Sequence, residues 1–326
     1  MAISAQQVKE LRERSGAGMM ECKTVLTEAE GDMEAAIDLL RARGLAKADK
    51  KASRVAAEGV IVTALSEDQK RGVVLEVNCE TDFVAKNEDF LALAKDCAGQ
   101  ALAQGLKDAE ALLADAGVEE RRKGLVSKLG ENISLRRLQH LQVMDGVIGA
   151  YVHGSRIGVL VALEGQAATS ELGRDVAMHV AAARPEVIHP GEVSPERLNR
   201  EKEILITQAA DSGKPADIIE KMISGRLNKL LNEIALTGQP FVKDPDRSVG
   251  QLIQSFPGVE VLEFVRFEVG EGIEKAPTAD FATEVMAQVR GPEWRRPCIP
   301  VFSSSLAARR SWAMVSTVWT VRSYSV

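Results

Sequence analysis

At 326 residues, with 45% hydrophobic side chains, the chain is long enough for two or three domains that each bury a core. Its formal charge of −6 is uneven: residues 290–326 hold six arginines against one acid, leaving −11 on residues 1–289, and so acidic a body is a poor nucleic-acid binder. No apolar run reaches the roughly 18 residues that span a bilayer, and MAISAQQVKELRERSG lacks the apolar core of a secretory signal, so a cytoplasmic protein with no membrane partner is expected.

Three short helices come first. Ser4 can cap one through Arg14, a second runs from about Met19 to Ala29, and Asp32 can cap MEAAIDLLRAR, which Gly44 is expected to end. Residues 1–44 thus read as a three-helix module and the basic stretch 45–57 as a linker. EGVIVTAL (58–65) and RGVVLEVNC (71–79), separated by SEDQK, predict a β-hairpin. Helices are expected from Asn87 to Gln104 and over 107–129, then a strand at 132–143. The TDFVAK segment between Cys79 and Asn87 reads as a turn. The same grammar restarts in DGVIGAYVHG (145–154), RIGVLVALEG (156–165) and a helix over 170–185, with GVEVLEFVRFEV (258–269) as the late strand. The fold class is therefore α+β: two related subdomains with antiparallel sheets, at 58–143 and at 144–192 with 237–275.

The second subdomain carries an insertion at 193–236. Ser194-Pro195-Glu196 opens a helix to about Ala210, DSGKP turns the chain, and a second helix follows to about Ala235, an antiparallel helical hairpin. A C-terminal helix is expected at 276–289. Beyond it, 290–326 has all three tryptophans, no lysine and no sustained period. That segment reads as disordered, an unrelated extension or an out-of-frame reading.

Sequence motifs for catalysis are missing. No P-loop, HExxH or GxSxG segment is present, and Cys22, Cys79, Cys97 and Cys298 form no CxxC pair. No cofactor, metal site or catalytic residue is expected. Three places invite contact instead. Phe83, beside Asp82, is either a core residue closing the strand-to-helix corner or an aromatic on display. Met19 and Met20 open a helix after Gly18; both could pack the module core, but adjacent helical positions cannot both point inward. His153, before Gly154, sits at a hairpin turn, and a lone histidine is more often structural than a ligand.

LRERSGAGMMECK (11–23) and EVNCETDFVAK (76–86) resemble the two signature segments of bacterial translation elongation factor Ts, and HGSRIGVLVALEG, MHVAAARPE, LTGQPFV and RFEVGEGIEK continue the likeness over about residues 1–289. The resemblance implies a ubiquitin-associated-like N-terminal module and a guanine-nucleotide exchange factor for elongation factor Tu, met in its GDP and nucleotide-free forms, that breaks no covalent bond. It implies that Thr81, Asp82, Phe83 and Val84 form a loop that wedges into the partner and disturbs its nucleotide and Mg²⁺ site. It also implies partner contacts by Leu11, Arg12, Met19, Met20, His153, Gly154, Asp280 and Phe281. A homodimer through the hairpin is left open. Against this stand a pure binding module confined to residues 1–55, an enzyme with a site between the subdomains, and an RNA-associated factor using its basic tail.

Overall fold

Local capping sets the first helices. The Ser4 hydroxyl accepts the Gln7 N–H at 3.2 Å while the Gln7 side chain accepts the Ser4 N–H at 3.0 Å, a reciprocal box that starts α1 (Ala5–Ser15). Gly16, with a left-handed φ of 69°, ends it. α2 (Met19–Glu28) and α3 (Met33–Lys51) follow, the latter begun by the Asp32 carboxylate, which accepts the Ala35 N–H at 3.0 Å. Val8, Leu11, Cys22, Val25, Leu26, Ala36 and Leu40 close a small core among the three. The structure, a computed structural model, describes residues 3–210 and 216–274. The expected turn at 211–215, the helix at 276–289 with Asp280 and Phe281, and the tail at 290–326 lie outside the described residues.

Gly44 does not end the third helix. α3 continues through it to Lys51, into what reads from sequence as linker. A glycine inside a helix costs about 1 kcal/mol relative to alanine. Here it makes room for a neighbour: a Cβ at Gly44 would lie 3.1 Å from the Ser127 Oγ of the helix α7 (Ala116–Leu129), against which α3 packs. Tertiary packing overrides the local stop signal.

Two three-stranded antiparallel sheets form the body. In the first, β1 (Glu58–Leu65), β2 (Arg71–Cys79) and β3 (Ile133–Gln142) lie in that order, with Glu58 opposite Cys79 and Cys79 opposite Ile133. Strand alternation sends Val73, Leu75, Val77 and Cys79 to one face, onto Phe90, Leu93, Ala94, Cys97 and Ala101 of α5 (Glu88–Gln104). Between α5 and β3, a single helix expected over 107–129 is two: α6 (Ala109–Leu113) and α7. Asp115 breaks it, because its carboxylate accepts the Gly117 and Val118 N–H groups at 2.8 and 3.2 Å and so caps a new helix instead of continuing the old one.

The second sheet repeats the plan with β4 (Gly146–His153), β5 (Ile157–Glu164) and the late strand β8 (Glu260–Glu268) in spatial order. Val159, Val161 and Leu163 face Leu172, Val176, Ala177 and Val180 of α8 (Ser170–Ala183). Leu160 and Ala162 face the other way and meet Ile61 and Val74 of the first sheet. The layers therefore run helix, sheet, sheet, helix. β4 and α8 touch backbone to backbone: a Cβ at Gly149 would lie 2.2 Å from the Gly173 carbonyl carbon. Backbone cannot swing aside, so Gly149→Ala is expected to lose about 1–3 kcal/mol, as overpacked sites do. An unchanged denaturant midpoint would contradict this packing.

Residues 237–257, which carry little periodicity, fold into a two-stranded ribbon, β6 (Pro240–Phe241) and β7 (Asp244–Ser248), and a short helix, α11 (Val249–Gln254). Phe241, Val249, Leu252 and Ile253 complete the core under α8. The inserted hairpin, α9 (Pro195–Ala210) and α10 (Ala216–Ile234), is rooted here. The buried Gln239 amide donates to Glu233 O at 2.6 Å and Ala183 O at 3.4 Å, joining the ends of α10 and α8.

Candidate functional site

The site begins where β2 runs out of sheet. Beyond Cys79 the chain does not make an open turn, as expected, but one turn of helix, α4 (Asp82–Ala85). Thr81 caps it: its hydroxyl accepts the Val84 N–H at 3.4 Å and donates to Glu131 Oε1 at 2.6 Å. Asn87 then caps α5 as expected, its side chain accepting the Asp89 and Phe90 N–H groups at 3.0 and 3.3 Å.

A single helical turn must send neighbouring side chains to different sides. Val84 is buried in the core of the first subdomain, and Phe83 beside it is 80% exposed. Of the two readings of Phe83, the structure takes display. The four residues of the segment thus do different work: Thr81 caps, Val84 roots the turn in the core, and Asp82 and Phe83 face outward. Asp82 pairs with Lys86 at 2.8 Å on the exposed face, a contact of small energetic weight in water.

Cys79 is not a nucleophile held in reserve. Burial, with the Glu131 carboxylate nearby, pushes its thiol up to about 12, and the S–H donates to Thr81 O at 3.1 Å.

A second exposed segment lies at the same end of the double sheet. His153, Gly154, Ser155 and Arg156 form the β4–β5 turn, with φ of 56° and 59° at the two central residues and Arg156 N–H bonded to His153 O at 3.0 Å, a type I′ geometry. Its Ser155 carbonyl accepts the Ile61 N–H at 2.8 Å, and Arg156 pairs with Glu58 at 2.8 Å. Since Glu58 pairs with Cys79 across β1 and β2, this turn and the Phe83 turn share one end. His153 is exposed, with Nδ1 3.2 Å from the Tyr151 hydroxyl.

The third segment is the start of α2. Met19 is 47% and Met20 74% exposed, so neither packs the module core; Cys22, Val25 and Leu26 do. Arg12 is exposed. Leu11 is a correction: it is fully buried with Val25 and Leu26, so as folded it shapes the module and offers a partner no surface. Lys128 connects this segment to the first. Its side chain runs past Gly16, where a Cβ would lie 3.5 Å from Lys128 Cε, and its ammonium meets Asp89, in the first turn of α5, at 2.6 Å. Sequence reasoning missed Lys128 and Glu131, because each acts on residues tens of positions away and neither stands in a motif.

No group of three or more His, Cys, Asp or Glu side chains among the described residues is placed to hold a metal ion. Nor is any helix among them long and apolar enough to cross a membrane.

Comparison with known proteins places the chain in a family. The family model described as elongation factor TS matches residues 80–271. Elongation factor Ts of Methylococcus capsulatus is 56% identical over 295 residues, covering 89% of this chain and 99% of that protein. That of Thioalkalivibrio sulfidiphilus is 56% identical over 296 residues, covering 89% and 100%, and that of Coxiella burnetii 52% over 296 residues, covering 89% and 98%. An α+β chain matched in this way over most of its length is a translation elongation factor. The chain belongs to the elongation factor Ts family.

Proposed function

We propose that this protein is a guanine-nucleotide exchange factor for elongation factor Tu, acting in the cytoplasm and by binding alone, without covalent catalysis. Phe83 is inserted into the partner and disturbs its nucleotide and Mg²⁺ site. The observation that carries the reading is a large aromatic side chain, 80% exposed, on a turn whose neighbours on both sides are fixed by a cap and a buried valine. Covering the exposed ring at an interface would take its apolar surface out of water, which favours binding. A rigid one loses little conformational entropy on insertion.

In this reading the chain divides by task. Residues 1–44 bind the partner through Arg12, Met19 and Met20, 45–57 link, and 58–143 carry the wedge loop Thr81, Asp82, Phe83 and Val84, of which Asp82 and Phe83 face outward. Residues 144–192 with 237–275 present His153 and Gly154, and 193–236 project as the hairpin. Asp280 and Phe281 add contacts from 276–289.

Exchange is a matter of linkage. A factor that binds nucleotide-free elongation factor Tu more tightly than the GDP form must weaken GDP binding by the same ratio, and GDP must weaken the factor's hold in return. Release of a fluorescent GDP from elongation factor Tu, followed by stopped flow, tests this. Addition of the full chain is expected to accelerate release by about tenfold or more, within the usual range of such couplings. An unchanged rate with folded protein would overturn the proposal. Retention of the full effect by residues 1–55 alone would favour the binding-module alternative.

A further inference from the structure

We propose that Glu131 is a positioning residue for Phe83: its carboxylate fixes the start of α4 and so sets the direction in which the aromatic ring is presented. The proposal deepens the exchange-factor reading and rests on it for its activity arm.

The geometry is a single carboxylate that gathers three donors from the segment ahead of Phe83. Glu131 Oε2 accepts the Glu80 N–H at 3.1 Å and the Thr81 N–H at 3.0 Å, and Oε1 accepts the Thr81 hydroxyl at 2.6 Å. These two backbone N–H groups lie just past the β2–β3 ladder, whose last pair is Cys79 and Ile133, so the sheet does not supply their acceptors. The Thr81 hydroxyl donates to Glu131 and at the same time accepts from Val84, which passes the constraint from the carboxylate into the helical turn.

The contact is reciprocal. Glu80 Oε1 accepts the Asn132 N–H at 2.7 Å. The buried Asn132 side chain in turn donates to Ala52 O at 3.3 Å and Arg54 O at 2.8 Å, on the segment that leaves α3. Gly130, left-handed with φ of 82°, ends α7 and turns the chain so that Glu131 points back at β2. Three consecutive residues therefore tie the turn that carries Phe83 to the exit of the N-terminal module. Charged acceptors of this kind hold backbone N–H groups more firmly than neutral ones, and a contact group is effective only when its support is rigid.

Glu131→Gln, in the full chain, is the test. The amide keeps the volume and one acceptor oxygen, but it removes the charge that strengthens the bonds to the Glu80 and Thr81 N–H groups, and with an N–H₂ in place of Oε1 the Thr81 hydroxyl loses its acceptor. Amide hydrogen exchange across residues 80–86 is expected to speed up while protection in β2 and α5 stays as in the parent. Acceleration of GDP release from elongation factor Tu should fall by about tenfold. In a Phe83→Ala background the same substitution should then have no further effect, since it acts through that ring. Unchanged protection at 80–86, or an equal loss with and without Phe83, would overturn the proposal. If the parent itself fails to accelerate release, the exchange reading fails, and the protection arm still decides whether Glu131 holds the turn. Should Glu131→Gln not fold, Thr81→Ser and Thr81→Val probe the other half of the contact. Serine, which keeps the hydroxyl, is expected to keep protection at residues 80–86, and valine to lose it; the two behaving alike would count against the assignment.

Discussion

Phe83→Ala is expected to remove most of the acceleration of GDP release while leaving the stability of the protein within about 0.5 kcal/mol of the parent. The two halves of this expectation come from one observation. With 80% of its surface in water, the ring contributes little to the folded state. Its cap and its valine root remain in the variant, because Thr81 and Val84 hold α4 through their own contacts. At an interface, an aromatic that becomes fully desolvated carries about 2 kcal/mol or more, which is roughly a 30-fold change in the equilibrium it drives. Stopped-flow release and a denaturant titration on the same sample read both halves. A variant that unfolds several kcal/mol early would mean that Phe83 is part of the core. A stable variant with full activity would leave exchange standing and move the wedge elsewhere.

Glu76→Ala is expected to have the largest effect on stability, about 3 kcal/mol. Glu76 is fully buried on β2. Its carboxylate accepts the Gly270 N–H at 2.8 Å and the Asn78 amide at 3.0 Å, and it pairs with Arg136 at 3.2 Å and with Arg137, both on β3. Arg137 also donates to Glu268 O at 2.9 Å and lies 4.2 Å over the Phe267 ring. One carboxylate therefore joins the first sheet to the end of β8 in the second. Removing one member of a buried charge cluster costs about 3–5 kcal/mol where the others are left uncompensated, and here Arg137 keeps Glu271 at 3.1 Å. The two guanidinium side chains retain 27% and 28% exposure and can rehydrate, which keeps the loss near the lower figure.

The same group sets a pH dependence. Burial pushes the Glu76 carboxyl up, but the Gly270 N–H, the Asn78 amide and Arg137 outweigh it and hold it below the ordinary carboxylate range. A carboxyl depressed by folding contributes stability above its unfolded value, about 4.3. That contribution is lost as the pH falls through the lower, folded value. Acid unfolding of the parent should therefore include a component that Glu76→Gln lacks. Denaturant titrations from neutral pH downward, run on both proteins, should converge as the pH drops; parallel curves would assign the acid sensitivity to other groups.

How much of this was legible beforehand follows from the range of each interaction. Hairpins, capped helix starts and the repeated subdomain plan are short-range patterns. The Val- and Leu-rich run RGVVLEVNC and the Ser4 and Asn87 caps are settled within a few residues, and the folded chain keeps them. The family resemblance pointed to Phe83, whereas its spacing left core and display both open. Leu11 shows the converse: a residue in a signature segment is fully buried in the folded module.

The sequence by itself determined the α+β class, the two antiparallel sheets and the helical hairpin, because hydrophobic period and turn chemistry act along the chain. Tertiary structure alone decided that α3 runs on through Gly44, since the reason is Ser127 on another helix. It decided that Val84 turns inward and Phe83 outward, since a four-residue helix takes its orientation from the core beneath it. It also brought Glu131 to Thr81, fifty residues earlier in the chain, where one carboxylate meets three donors that no local pattern could have matched to it.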